Sequence, residues 1–210
     1  MTADSSFGEP HDILRVATYN IHKGVQGVGP TRRLEIHNLA LAIETLDADI
    51  VCLQEVRQGN RKEASYFTGW PEQPQAEFLA PEGYEAVYRS NAVTKHGEHG
   101  NALLSRWPVI ECRHEDMSDH RFEQRGLLHA KLLVAGVTLH AIVVHFGLIP
   151  SSRVRQTARL KAYIAREIPL DEPVVVAGDF NDWGTRVRRL LRVDSLHAFE
   201  GPRTLTYPSR

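Results

Sequence analysis

The sequence predicts an α/β fold in one domain spanning residues 1–210, and three observations carry that prediction. Short β-branched runs alternate with helical periodicity: LRVATYNI, then Ile36, Leu39, Ala40, Ile43 and Leu46 at helical spacing, then DIVCLQEV. Strand, helix, strand is the opening of an α/β layer. Polar residues capable of chemistry close several of the apolar runs, namely Asn20, Glu55, His145, and Asp179 with Asn181, and in sheet-based α/β folds strand ends are where loops converge into sites. Finally, 210 residues with 42% hydrophobic content can bury one proper core, and no linker, repeat or break in composition divides the chain.

Taken in order, Leu14 to Ile21 is β-rich and runs into HKGVQGVGP, a strand entering a glycine-punctuated loop. A helix covers residues 34–46, and DIVCLQEV is a short, continuously apolar strand closing on Glu55. From Arg57 to about Tyr88 the chain is rich in Gly, Pro, Gln and aromatics without a period, so a long irregular excursion is expected; such loops are more often functional than filler. GNALLSRWPVI reads as a strand, and GLLHAKLLVAGVTLHAIVVHF as a hairpin turning near Ala135-Gly136. SSRVRQTARLKAYIAREI begins with serines fit to cap a helix and puts Val154, Ala158, Ile164 and Ile168 on or near one face. PVVVAGDFN is the next strand, with Gly178 permitting a close backbone turn, and TRVRRLLRV the next short helix. Its arginines 186, 188, 189 and 192 read as a solvated face, and Trp70, Trp107 and Trp183 as packing.

Composition excludes several classes of function. Lys plus Arg (25) nearly balance Asp plus Glu (26), which argues against a protein held to nucleic acid by bulk positive charge, so any anion is held locally. Two cysteines, Cys52 and Cys112, fit inert thiols in a reducing cytosol better than a disulfide scaffold. MTADSSFGEPHD has no apolar core of signal-peptide length, and no run approaches the roughly 18 residues of a membrane span. The expectation is a soluble, cytoplasmic monomer.

A carboxylate and an amide on neighbouring strand ends make an oxygen-rich pocket suited to Mg²⁺, a hard cation that takes one or two carboxylates and keeps several waters. Glu55 is the leading ligand candidate, because a glutamate terminating IVCLQ sits half-buried and needs a partner. Singly, Asn20, Asp179 and Asn181 are equally suited to turns and caps, and His145 to a hydrogen-bonded strand end. His22 and Lys23, in the loop after the first strand, either touch a phosphate or face water.

The constellation, however, has a recognisable order. TYNI with Asn20, LQEV with Glu55, GNALLSR at 100–106, VVHFGL with His145 and AGDFND with Asp179 and Asn181 resemble the endonuclease/exonuclease/phosphatase superfamily, the DNase I-like metal-dependent phosphohydrolases. The resemblance implies a four-layer α/β sandwich of two mixed sheets packed face to face, with helices outside and the site at one end. It implies that Glu55 ligates Mg²⁺, or Mn²⁺, with help from Asn20, and that Asp179 orients and deprotonates the attacking water. It further implies that Asn181 hydrogen-bonds a phosphate oxygen, that His145 contacts the phosphate or assists as an acid, and that Arg153, Asn101 and His22 contact substrate.

The pattern departs from the family at its end. Family members usually continue past a TYPS-like segment into Leu-Asp-Arg or Leu-Asp-Tyr and a terminal Ser-Asp-His, whereas this sequence stops at TYPSR. The expectation is a domain lacking those strands and that histidine. Three readings follow: a phosphodiesterase acting on nucleic acid; the same chemistry on a small phosphoester, inositol phosphate or phospholipid headgroup, with the aromatics of 57–88 as a lid; or a binding or regulatory module that keeps the fold without turnover.

Overall fold

The structure is a computed structural model that describes residues 13–192 and 196–197. In chain order its strands and helices are β1 (Val16–Asn20), β2 (Val25–Gln26), β3 (Arg33–Leu34), α1 (Ile36–Leu46), β4 (Ile50–Val56), α2 (Arg61–Tyr66), α3 (Gln75–Leu79), β5 (Glu85–Thr94), β6 (Gly97–Ser105), β7 (Val109–Asp116), β8 (Gly126–Val134), β9 (Val137–His145), α4 (Pro150–Glu167), β10 (Val174–Asp179) and α5 (Arg186–Leu191). The TYPSR terminus, where the sequence departs from the family pattern, lies outside the described residues.

Two mixed four-stranded sheets form the body. One has the order β1-β4-β6-β5 with β1 parallel to β4; the other has the order β10-β9-β8-β7 with β10 parallel to β9; all other pairs are antiparallel. Side-chain alternation produces the layers. In β4, Ile50 and Cys52 join Leu103 of β6 against Leu128, Ala130 and Val143 of the second sheet, while Val51 and Leu53 face the other way onto Ile36 and Ile43 of α1 and Leu79 of α3. On the far side, Leu127, Ile142 and Val144 pack under Leu160 and Tyr163 of α4 and Val187 of α5. The order helix, sheet, sheet, helix is the sandwich expected. Cover on both faces explains why β4 and β9 read as unbroken apolar runs.

The hairpin between β8 and β9 turns at Ala135 (φ 48°) and Gly136 (φ 84°), the pair of positive angles a type I′ turn demands. Other expectations need correction. The excursion after Arg57 holds two helices, α2 and α3, and the start of β5; these helices of six and five residues are too short to show a period. GNALLSRWPVI is two strands, β6 and β7, parted at Arg106–Pro108, not one. The serines do not cap α4: Pro150 takes its first position, where a missing N–H costs nothing, and the Ser152 hydroxyl is buried and donates to Asp119 Oδ2 at 2.7 Å. The buried face of α4 runs through Ser152, Gln156, Leu160 and Tyr163, with Ala158 exposed. Trp183 is 80% exposed and so is not packing.

Candidate active site

The parallel units β1-α1-β4 and β9-α4-β10 bring the C-terminal ends of four strands together, two from each sheet. Asn20 closes β1, and its Nδ2 donates to Glu55 Oε1 at 3.3 Å and to Asp179 Oδ2 at 3.1 Å. One amide thus ties a carboxylate from the first sheet to one from the second. Its Oδ1 accepts the His22 N–H at 3.0 Å, which folds the chain after β1 into a tight turn. His145 Nε2 stands 3.8 Å from Asp179 Oδ2. Asp179 Oδ1 accepts the Asn181 N–H at 2.9 Å, and Asn181 Nδ2 donates to the Phe146 carbonyl at 2.8 Å, so the loop after β10 is clamped to the end of β9.

Backbone strain collects at the same place. Six non-glycine residues have positive φ among the described residues, and four of them are His22 (47°), Lys23 (63°), Glu55 (57°) and Asn181 (49°). Each such conformation costs on the order of 1–3 kcal/mol and survives where the surroundings over-determine it, as they do at functional sites. At Glu55 the pairing of β4 with β6 skips between Leu53 and Val56, so the glutamate is lifted out of the ladder. Gly178 lies within β10, not in a turn. A Cβ there would sit 1.9 Å from the Val144 carbonyl oxygen, so its absence is what lets β10 lie close against β9.

Lys23, left open between phosphate and water by the sequence, and two groups it did not single out, Arg125 and His99, complete the electrostatics. Lys23 Nζ pairs with Glu55 Oε2 at 3.1 Å. Burial alone would raise the Glu55 carboxyl, but the Lys23 charge and the hydrogen bonds from Lys23 and Asn20 outweigh it and hold the group below its usual range. Burial, followed by the charge of Arg125, pushes His145 down to about 4 against the opposing pull of Asp179 and Glu55, so its imidazole is neutral at pH 7. His99 is likewise lowered by burial and by Lys23. It stands two residues from Asn101 on β6, a spacing that puts both on one face of the strand and that the sequence does display.

The remaining predicted residues sit differently. Asn101 is fully buried between the sheets; its Nδ2 donates to the carbonyls of Gly126 (2.9 Å) and Val143 (3.3 Å), and its Oδ1 has no partner. Arg153 uses Nη1 on the carbonyls of Gly147 and Leu148, bracing the loop after β9. Arg125 braces the same loop through the Phe146 carbonyl. The His22 side chain is exposed at the rim.

The donors suit a hard cation. Glu55 and Asp179 supply carboxylate oxygen, and a cationic ammonium already sits against Glu55; the Asn20 amide faces both with its nitrogen while its Oδ1 accepts the His22 N–H, so its oxygen reaches an ion only after the amide turns over. Among the described residues no three His, Cys, Asp or Glu side chains are grouped closely enough to hold an ion by themselves.

Comparison with known proteins bears on the fold and the family. The family described as Endonuclease/Exonuclease/phosphatase matches residues 17–209. The chain is 39% identical over 185 residues to the uncharacterized protein YbhP of Escherichia coli strain K12, covering 87% of this chain and 72% of that one. It superposes on the human Nocturnin catalytic domain with a TM-score of 0.64 at 21% identity, covering 87% of this chain and 69% of that one. For the endonuclease/exonuclease/phosphatase family protein of Leptotrichia buccalis the TM-score is 0.62 at 14% identity, with 85% and 73% covered. Similarity at these identities is a statement about fold, whereas the match along the sequence is one of kinship, to a group of phosphoesterases and nucleases whose enzymes generally use divalent metal ions. The chain belongs to the Endonuclease/Exonuclease/phosphatase family.

Proposed function

We propose that this chain is a Mg²⁺-dependent phosphoester hydrolase in which Asp179 aligns and deprotonates the attacking water. The observation that carries the reading is the Asn20 amide between Glu55 and Asp179, which sets two carboxylates from different sheets at one point. Glu55, with Asn20, would hold the Mg²⁺, which in such a site supplies charge for the non-bridging oxygens of the phosphate.

The protein's own groups divide the rest. Asp179 is fixed on one side by the Asn181 N–H and on the other by Asn20, so the carboxylate is oriented before substrate arrives. Neutral His145 offers a phosphate oxygen a hydrogen bond and not a charge, a role that needs no proton uptake on binding. Lys23, on a strained backbone beside Glu55, offers a cation to an incoming phosphate. Asn181 holds the Phe146 carbonyl through its nitrogen, which leaves its Oδ1 to accept from a protonated phosphate oxygen or a water.

The test is hydrolysis of bis(p-nitrophenyl) phosphate with and without Mg²⁺, alongside Glu55→Gln and Asp179→Asn. Turnover that vanishes with a chelator and in both variants supports the proposal. Turnover indifferent to chelation, or retained in Glu55→Gln, sinks the metal assignment; an inert wild type with saturable Mg²⁺ binding favours a module that binds without hydrolysis.

A further inference from the structure

We propose that His99 is a further substrate-binding residue of this site, its imidazole donating to one phosphate oxygen from the first sheet while His145 takes another from the second. This rests on the reading that a phosphate lies at Glu55 and Asp179. Sheet register carries it. Asn101 on β6 reaches across the sandwich to the carbonyls of Gly126 on β8 (2.9 Å) and Val143 on β9 (3.3 Å), which fixes what stands opposite β6 at that level. β6 and β8 begin, and β9 ends, at the opening. Two residues nearer to it, on the same strand faces, lie His99 and His145, with Arg125 just before Gly126. Within its own sheet, Val56 pairs with Gly100, which sets His99 alongside Arg57 and near the lifted Glu55. Electrostatics single out the same neighbours: the charges of Lys23, Glu55, Arg57 and Arg125 act on His99, and His99 acts on His145.

What the ring lacks is a partner. His99 is half-buried, and among the described residues neither of its ring nitrogens makes a hydrogen bond or is sealed from the opening. Its neighbours are committed. The Asn20 amide nitrogen serves both carboxylates, Lys23 pairs with Glu55, the Asn181 amide nitrogen holds the Phe146 carbonyl, and Arg125 divides itself between that carbonyl and Glu123. His99 keeps an N–H to give, and an imidazole has one in either protonation state, so the role does not depend on its titration. A histidine meant only for water gains nothing by giving up half its hydration within reach of Lys23, Arg57 and Arg125. An anion between the sheets uses the donor and is attracted by all three cations. Phosphate oxygens diverge tetrahedrally, so donors on one sheet reach only part of the group; imidazoles facing each other from two sheets take different oxygens and fix its orientation.

The experiment measures hydrolysis of bis(p-nitrophenyl) phosphate with Mg²⁺, and its inhibition by inorganic phosphate, for the wild type, His99→Leu and His99→Gln, with urea unfolding to show that each is folded. His99→Leu should lose about 10- to 100-fold in kcat/KM and a similar factor in phosphate affinity, the span of one hydrogen bond to a charged group. His99→Gln keeps an N–H and should stay within about fivefold of the wild type. Unchanged phosphate affinity in His99→Leu, or a His99→Gln as damaged as His99→Leu, overturns the proposal, because a histidine that only steadies its neighbours lowers kcat without touching phosphate binding. The wild type also reports without turnover and without a variant. In proton–nitrogen NMR of the imidazoles, titration with inorganic phosphate should move the His99 and His145 ring signals along one saturation curve. A His145 signal that moves while His99 stays, or no shift in either, overturns it. A wild type that hydrolyses nothing refutes only the hydrolase reading, and the phosphate titration then decides the role of His99.

Discussion

Replacing Asn20 by aspartate preserves its size and inverts its effect on the site. In the wild type Nδ2 bridges Glu55 Oε1 at 3.3 Å and Asp179 Oδ2 at 3.1 Å. A carboxylate oxygen in that position creates two like-charge contacts, each about 5 kcal/mol of repulsion at an effective dielectric constant of about 20. Water screens part of this, since the Glu55 and Asp179 side chains are 20% and 30% exposed. Proton uptake caps what is left: keeping a carboxyl with an ordinary pKa near 4 protonated at pH 7 costs about 4 kcal/mol. The expected loss is therefore about 2–4 kcal/mol in urea unfolding at pH 7 with a chelator present, or a Tm lower by about 5–15 °C. Added Mg²⁺ should recover more stability in Asn20→Asp than in the wild type, because a third carboxylate is a cost only until a cation arrives. A variant as stable as the wild type in chelator, with no extra gain from Mg²⁺, would refute the placement of Asn20 between two ionised carboxylates and with it the reading of this site.

Other perturbations test other parts of the fold. Gly178→Ala puts a Cβ 1.9 Å from the Val144 carbonyl oxygen at a φ of 151°, so it should cost at least about 3 kcal/mol in denaturant melts, whereas Gly59→Ala, which meets nothing within 4 Å, should stay near zero; equal effects would deny the close packing of β10 on β9. Away from the site, His129 on β8 touches the Tyr163 hydroxyl (2.9 Å) and His140 (2.8 Å), which reaches Glu172, and burial, then the charges of His140, Lys131 and Arg113 against Glu111, holds it down to about 4. An unfolded histidine protonates first, so this group's contribution is complete above about pH 6.5 and falls at up to about 1.4 kcal/mol per unit as pH drops toward 4; His129→Gln should flatten that slope, and an unchanged slope would contradict it. Asn101→Ala removes two bonds from β6 to the second sheet and should cost about 1–3 kcal/mol as well as activity; lost activity at full stability would instead make it a substrate contact.

What was legible in the sequence, and what was not, follows from the length scale of each signal. The sheet strands announce themselves because cover on both faces demands long apolar runs, and the residues that close those runs, Asn20, Glu55, His145 and Asp179, do meet. Helices α2 and α3 leave no period, since each rests on a cap and tertiary contact; Asn60 Oδ1 accepts the Glu63 N–H to start α2. Lys23 is ambiguous in sequence because a lysine in a loop ordinarily faces water, and only the left-handed turn at residues 22–23 brings its ammonium back to Glu55. The lifted backbone of Glu55 is invisible for a related reason: a glutamate in a strand signals neither bulge nor positive φ.

That strain also explains why the site is an assembled object and not a motif. β1 and β4 contribute Asn20 and Glu55, whereas β9 and β10 contribute His145 and Asp179, and the two pairs belong to separate sheets packed face to face over a largely apolar interface. Ordinary strand geometry would leave Glu55 in the ladder, paired with β6 and pointed by alternation into one layer or the other. The skipped register and left-handed φ move it to the edge where the second sheet's carboxylate waits, and Asn20 then satisfies both. Each left-handed residue here costs on the order of 1–3 kcal/mol, which folding alone gives no reason to retain at four positions around one opening. A ligand that binds the two carboxylates together supplies that reason, because it draws its affinity from a geometry already fixed before it arrives.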